Sequence, residues 1–156
     1  MPDKREDILA RYLAIAVNVK LADTTIKTAI RNRGWKSNEQ RPAIILLDAD
    51  EESTGSQGTN GRGGMMMRPA IVTMRPELYV LLDERRLEND TVGQDLNNYR
   101  VELSRAIATD QQMVALLGSN GKVVYNGCVT DLKSGSALTG QMRLDFAFTY
   151  LFVPTA

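Results

Sequence analysis

The sequence predicts a single α+β domain in which helices pack on one face of a mostly antiparallel sheet. Two segments have the apolar spacing of amphipathic helices, and the C-terminal segment alternates between apolar and polar residues as a half-buried strand does. The chain has 156 residues, the usual length of one domain, so we assign residues 1–156 to one unit. A chain of this size buries roughly 70% of its unfolded surface and can form a core without disulfides or metals.

The apolar periodicity predicts two helices and a shorter third one. Residues 3–20 form the first, with Pro2 and Asp3 suited to a helix start. Residues 91–108 form the second, whose apolar residues recur at steps of three and four: Val92, Leu96, Tyr99, Leu103 and Ile107. Asp110 is placed to cap the short third helix, which is predicted to end at Gly118.

Five segments have the composition and alternation of strands: residues 25–31, 42–47, 70–82, 122–132 and 142–152. The second is apolar on both faces, which predicts a central strand covered on both sides. Pro76 lies inside the third and predicts an edge position or a bulge, because proline has no N–H to donate to the ladder.

The last strand has the clearest pattern in the chain. Its even positions are all apolar and are predicted to face the core: Met142, Leu144, Phe146, Phe148, Tyr150 and Phe152. Its odd side is predicted to face away from the core and has Gln141, Arg143, Asp145 and Thr149. Truncating Phe146 should therefore cost far more stability than truncating Thr149.

A glycine-rich stretch interrupts the strands in the middle of the chain. Residues 53–64 contain five glycines and no apolar side chain, and three methionines follow at 65–67. Such a stretch cannot bury apolar area, so residues 53–67 are predicted to form a flexible loop within the domain. Gly58 and Gly63 have the spacing of a phosphate-binding loop, but the required Lys and Ser/Thr do not follow them, which disfavours nucleotide binding.

The composition excludes several kinds of chemistry. The chain has 19 basic and 19 acidic residues, and its zero net charge argues against a general polyanion binder. It has no histidine, so a Ser-His-Asp triad and a His-ligated zinc site are both excluded. Cys128 is the only cysteine, which excludes an intramolecular disulfide, and we expect an inert buried thiol there.

Four acidic residues follow the predicted central strand: Asp48, Asp50, Glu51 and Glu52. They could form a metal or acid–base cluster, but their spacing matches no calcium loop, and a solvated strand end is the favoured interpretation. We expect no metal, no cofactor and no enzymatic activity. Replacing these acids one at a time by Ala should therefore abolish no chemistry.

Some residues are candidates for contact with a partner: Trp35, Arg62, Met65, Met66 and Met67. Methionine adapts to irregular surfaces and tryptophan is enriched at binding hot spots. Packing of the same residues on the chain's own core is an equal alternative. Basic residues could line a path for DNA, although nearby acids favour a solvated face: Arg33, Lys36, Arg41, Arg62, Arg68 and Arg75.

Several segments in order give the chain its resemblance to a known family: the first helix, residues 41–45 before the acids, the glycine-rich stretch, residues 71–82, the helix at 92–108, residues 125–131 and the strand at 142–150. Over nearly its full length the chain resembles the tail terminator, or tail completion, proteins of long-tailed bacteriophages. The resemblance implies a homo-oligomeric ring, typically a hexamer, that caps the tail tube and ends its polymerisation. It also implies contacts with the tail tube protein and the head-side connector, while genomic DNA passes through the lumen without sequence-specific binding.

The expected location is the virion, in the tail or neck, after assembly in the host cytoplasm. The N-terminal segment is too polar for a secretory signal or a membrane span, so no membrane contact is expected. Two alternatives stay open. One is another neck, head-completion or minor tail protein, and the other is a small ligand- or metal-binding enzyme module that uses the acidic strand end and the glycine-rich loop.

Overall fold

The computed structural model describes residues 3–34, 36, 40–56, 69–82, 92–131 and 141–154, and it forms an α+β domain. Within these ranges the elements are α1 (Lys4–Asn18), β1 (Thr28–Arg31), β2 (Ala43–Leu47), β3 (Glu51–Ser56), β4 (Ala70–Met74), β5 (Glu77–Leu81), α2 (Val92–Thr109), α3 (Gln111–Leu117), β6 (Lys122–Asp131) and β7 (Gln141–Phe152). The seven strands form one sheet. Among the strands of the described residues, only β1 and β2 pair in parallel, and every other pair is antiparallel.

The two strands that flank Pro76 behave as one interrupted strand. β4 and β5 both pair with the same side of β7, Met74 opposite Phe148 and Glu77 opposite Asp145, without a shift in register. The predicted long strand at 70–82 is thereby confirmed, with a break at residues 75–76. The predicted edge position or bulge for Pro76 is wrong, because the buried proline lies in an inner row where the ladder stops for two residues.

The next row of the sheet contains β2 and β3, which pair with β5 and β4. Residues 53–56 were expected to begin the flexible loop, and that expectation is wrong because they complete β3. β4 supplies a backbone ladder for this polar segment, and a strand at the edge of a sheet needs no apolar side chains. The rest of the predicted loop, at residues 57–67, lies outside the described residues.

All three helices pack on one face of the sheet. The predicted even positions of β7 from Met142 to Tyr150 are buried, as is the whole predicted stripe of α2. Tyr12 of α1 packs between them, with its ring centroid 5.0 Å from that of Phe148. Tyr99 of α2 donates a hydrogen bond to the carbonyl of Ala16 at 2.7 Å, which fixes α2 against α1. The predicted core face is therefore confirmed, with Phe152 at the end of β7 only partly buried against it.

The opposite face of the sheet is not uniformly solvated. A second apolar cluster lies there, made of Ile30, Ala43, Ile45 and Leu81. Thr149 lies on this face, as predicted, but it is only 8% exposed, and its hydroxyl is 3.0 Å from that of Thr73. Thr149 is buried on this face because β7 has neighbours on both sides that cover its shorter side chains.

The helix ends confirm the predicted capping. Asp3 accepts a hydrogen bond from the backbone of Arg5 at 3.0 Å, and Asp110 accepts one from Met113 at 2.7 Å. Gly118 ends α3 with φ +78°, a conformation in which glycine has no steric penalty. These caps fix the short connection between α3 and β6, beside which the candidate site lies.

Candidate assembly surface

β6 is an edge strand along one side of the sheet. It has ten residues, Lys122–Asp131, and pairs with residues 141–149 of β7. No described strand pairs with its other side. A strand in this position presents unpaired backbone N–H and C=O groups in a row, and another strand can add to that row.

A bulge interrupts β6 in its middle. The register with β7 shifts between Tyr125 and Gly127, so Asn126 is the inserted residue. Gly127 has φ +133°, which L side chains rarely adopt, and this backbone conformation explains why a glycine stands here. The bulge divides the strand into two arms of four residues each, 122–125 and 128–131.

β6 exposes more large apolar side chains than any other described element. Six such side chains are exposed over the described ranges, and half of them belong to β6: Val124, Tyr125 and Val129. The others are Val101, Val114 and Val153. Apolar side chains on a free edge are uncommon in monomers, which usually protect such edges with charges or proline. The combination is typical of a contact surface.

A groove of about 340 Å³ lies beside β6, between the end of α2, α3 and the first residues of the strand. Its wall is mainly apolar: Ile107, Met113, Leu117, Val123 and Phe146. Gly121 forms part of it, and a Cβ atom there would lie 2.2 Å from the carbonyl oxygen of Leu117, so only glycine lets the chain pass α3 so closely. The groove extends the exposed apolar surface of β6 toward α2 and α3.

Arg100 of α2 holds Tyr125 at the rim of this groove. The Nη1 atom of Arg100 donates to the Tyr125 hydroxyl at 3.2 Å, and the guanidinium lies 5.8 Å from the ring centroid. The other side of the ring meets Phe146, with centroids 5.4 Å apart. Tyr125 is therefore a half-exposed aromatic residue in a fixed position, which is the type of side chain found at interface hot spots.

Three of the four acidic residues after β2 have separate side-chain partners. Asp48 accepts from Arg31 at 2.8 Å, and Glu52 accepts from Arg75 at 2.7 Å. Glu51 accepts from the hydroxyl of Tyr150. Over the described ranges no group of three or more acidic, histidine or cysteine side chains could hold a metal ion.

The prediction that these acids form a solvated strand end is wrong at two points. Asp48 is half-buried in an ion pair, and Glu51 and Glu52 begin β3. Arg31 donates to both Asp48 and Glu6, which joins the end of β1 to α1. The hydrogen bond from Arg31 holds the pKa of Asp48 below its ordinary value, and the same donor lowers the pKa of Glu6. These ion pairs therefore link the ends of β1 and β2 to α1.

The residues predicted to contact a partner cannot be compared with this surface. Trp35, Arg62, Met65, Met66 and Met67 all lie outside the described residues. Cys128 does belong to β6, where it packs against the core but is half-buried rather than buried as expected. It faces the helices, since its register partner is Leu144 of the buried side of β7.

Sequence reasoning did not single out β6 as a contact surface. The available signal was the run Val123-Val124-Tyr125, which places apolar side chains on both faces of one strand. Such a run is typical of a covered inner strand. It points to an interface only once the sheet order shows that this strand is at the edge.

The fold and the surface together define an α+β domain with an exposed apolar sheet edge. A scan against protein-family models finds no matching family, and a search of the curated proteins finds no similar sequence. None of the helices in the described ranges combines the length and the hydropathy that a membrane span requires.

Proposed function

We propose that the protein is a structural virion component of the tail terminator type. In this proposal copies of the chain form a ring, as a hexamer, that caps the tail tube and ends its polymerisation. The ring then joins the tail to the head-side connector, and DNA passes through its lumen without being read. The protein acts in the tail or neck of the virion and has no catalytic role.

The observation that best supports this proposal is the free edge of β6 with its exposed Val124, Tyr125 and Val129. A protein that works by assembling needs surfaces that gain from being covered, and apolar side chains on an unpaired strand are such a surface. The opposite side of the sheet ends in β1 and β3, whose composition differs from that of β6. A ring requires two different contact surfaces on each copy, and a sheet with unlike edges offers them.

The arrangement of the polar groups also supports a structural role over the enzyme alternative. The carboxylates of Asp48, Glu51 and Glu52 are each engaged by a different partner. The groove beside β6 has few polar groups, and the hydroxyl of Ser104 in its wall donates to the carbonyl of Arg100 at 2.8 Å. General acid–base catalysis needs a titratable pair within reach of one substrate, and these groups do not form one.

The test is the assembly state of the purified protein, alone and mixed with tail tube protein of its phage. We expect negative-stain images to show rings, and native mass spectrometry to give one defined copy number. Val124→Ser in β6 should prevent ring formation, and Val101→Ser, on the exposed side of α2, is its matched control. The absence of any ring under both conditions would overturn the proposal. A metal-dependent hydrolase activity that disappears on replacing Asp48 would establish the enzyme alternative instead.

A further inference from the structure

The arm 122–125 of one β6 strand matches the arm 128–131 of a second β6 strand that runs antiparallel to it. Lys122 begins the strand and Asp131 ends it. Val124 is opposite Ala147 of β7 and Val129 is opposite Arg143, so both valines lie on the face away from the helices. They are 42% and 51% exposed. Tyr125 and Cys128 lie on the other face, opposite Phe146 and Leu144.

From this pattern we infer that two copies of the free protein pair through β6, antiparallel, about a two-fold axis at Gly127. A two-fold axis perpendicular to the sheet keeps the same face up in both copies. Because each arm has four residues, this register sets Val124 against Val129 of the other copy on one face. The pair of valines therefore occurs twice in the contact, once on each side of the axis.

The bulge makes this register possible. In a regular strand, residues 124 and 129 are an odd number of steps apart and would lie on opposite faces. Asn126 has no partner in the ladder, so residues 124 and 129 are an even number of ladder positions apart. Both valines therefore share a face, and the two arms match about Gly127. At the centre, Gly127 of one copy meets Gly127 of the other, where two side chains would otherwise crowd.

The other free edges fit β6 less well. β1 has only four residues, so it can cover less than half of a β6 strand. β3 has no apolar side chain that could pack against Val124 and Val129. Apolar β-branched side chains opposite one another stabilise a strand pair, so a second β6 is the favoured partner.

Self-pairing has a physical benefit for the free protein. Ten residues of strand present an edge about 34 Å long at a rise of about 3.4 Å per residue, and an open apolar edge of that length invites aggregation. The dimer covers this edge on both copies and leaves no further free edge at the contact. The role of the dimer, and this point alone, rests on the proposed function. A dimer with a two-fold axis in its contact cannot be part of a ring in which every copy uses two unlike surfaces. The dimer is therefore the stored form of the protein, and it separates as the ring closes.

The first test is sedimentation velocity of the full chain across a wide concentration range. We expect the 17.3 kDa chain to double its mass. Val124→Lys alone and Val129→Glu alone should each weaken the dimer roughly tenfold, because a charge then replaces a valine in both valine pairs. The double variant V124K/V129E places opposite charges across both pairs and should restore dimerisation. Val101→Lys on α2 is the control, since it places the same charge at another exposed valine away from β6.

The second test is site-specific cross-linking in a C128S background. The inferred register predicts that a V124C chain mixed with a V129C chain forms a disulfide-linked dimer on mild oxidation, while neither chain cross-links efficiently alone. Both sites are exposed, and thermal melts check that the variants are folded. A monomer at all concentrations, or cross-linking of V124C with itself but not with V129C, would overturn the inference.

The third test separates this inference from the proposed function. A double variant V124C/V129C in the same background gives a locked dimer, which should fail to form rings until a reductant is added. Dimers without rings under any condition would leave the inference standing and remove the proposed function. If rings formed equally well from the locked dimer, the dimer would not be the stored form of the protein.

Discussion

β6 and β7 are neighbouring strands that both have large apolar side chains but have opposite roles. They pair along almost the whole length of β6. β7 has β4 and β5 on its other side, and its side chains from Met142 to Tyr150 are largely buried. β6 has no described neighbour on its other side, and its valines at 124 and 129 are exposed.

The difference shows that position in the sheet, rather than composition, decides what an apolar strand does. On β7 each apolar side chain contributes to folding, because neighbours on both sides and helices above remove it from water. On β6 the side chains of Val124 and Val129 are only partly removed from water in the isolated chain, and a partner would bury the rest. Mutations in the two strands should therefore separate stability from assembly.

The largest expected effect is the truncation of Phe146 in β7. Its ring is buried against Tyr12 and Tyr125, with centroids 6.0 and 5.4 Å away. Phe146→Ala should lower the free energy of unfolding by about 3–5 kcal/mol, as expected for a cavity left by a buried aromatic ring. Val129→Ala in β6 is the matched control and should stay within about 0.5 kcal/mol. Chemical denaturation measures both, and similar losses at the two sites would break the comparison.

The second effect concerns the buried hydroxyl pair on the other face of β7. Thr149→Ala leaves the hydroxyl of Thr73 buried without its partner, which should cost about 1–3 kcal/mol. The double variant T73V/T149V removes both hydroxyls at nearly constant shape and should recover most of that loss. Denaturation of the single and double variants gives the coupling between them. Additive losses would show that the two hydroxyls do not depend on each other.

Most of the fold could be predicted because side-chain periodicity reports which face is buried. The stripe of α2 and the even side of β7 follow directly from spacings of 3.6 and 2 residues. β3 could not be found in this way, since Glu51–Ser56 is polar and becomes a strand only because β4 pairs with it. The same limit explains Thr149, whose burial depends on the strands beside it and not on its own pattern.

The candidate site was less predictable than the fold. An exposed edge is a property of strand order, and the sequence of β6 has no mark that separates an edge strand from an inner one. Sequence reasoning looked instead to Trp35, Arg62 and the three methionines, on residue type alone. Those contact assignments stay predictions, and they are compatible with a second contact surface elsewhere on the chain.

The third effect sharpens the comparison at the opposite edge of the sheet, where ion pairs of Arg31 join the end of β1 to Asp48 and to α1. The pKa of Asp48 is lower in the folded chain than in the unfolded chain. Its ion pair with Arg31 therefore stabilises the fold at pH values above the unfolded-state pKa. This stabilisation is lost as pH falls through the folded-state pKa, below about pH 4. Asp48→Asn should therefore cost up to about 1 kcal/mol at neutral pH and little in acid. Unfolding measured across pH tests this, with the more exposed pair of Glu52 and Arg75 as the control through Glu52→Gln.

The smallest expected effect on stability is the shortening of the connection between β3 and β4. Residues 58–63 contain three of the chain's glycines and no apolar side chain, so they have no apolar area to lose, and loop-closure entropy changes slowly with length. Deleting residues 58–63 should leave the melting temperature nearly unchanged, whereas deleting 54–56 removes half of β3 and should lower it clearly. Deleting residues 58–63 should nevertheless impair assembly, because a connection this long inside a compact domain usually contacts a partner. The assay is a thermal melt together with complementation of a phage that lacks the wild-type protein. If the 58–63 deletion were stable and still gave normal tail length and infectious particles, contact with a partner would have to be assigned to β6 and its groove alone.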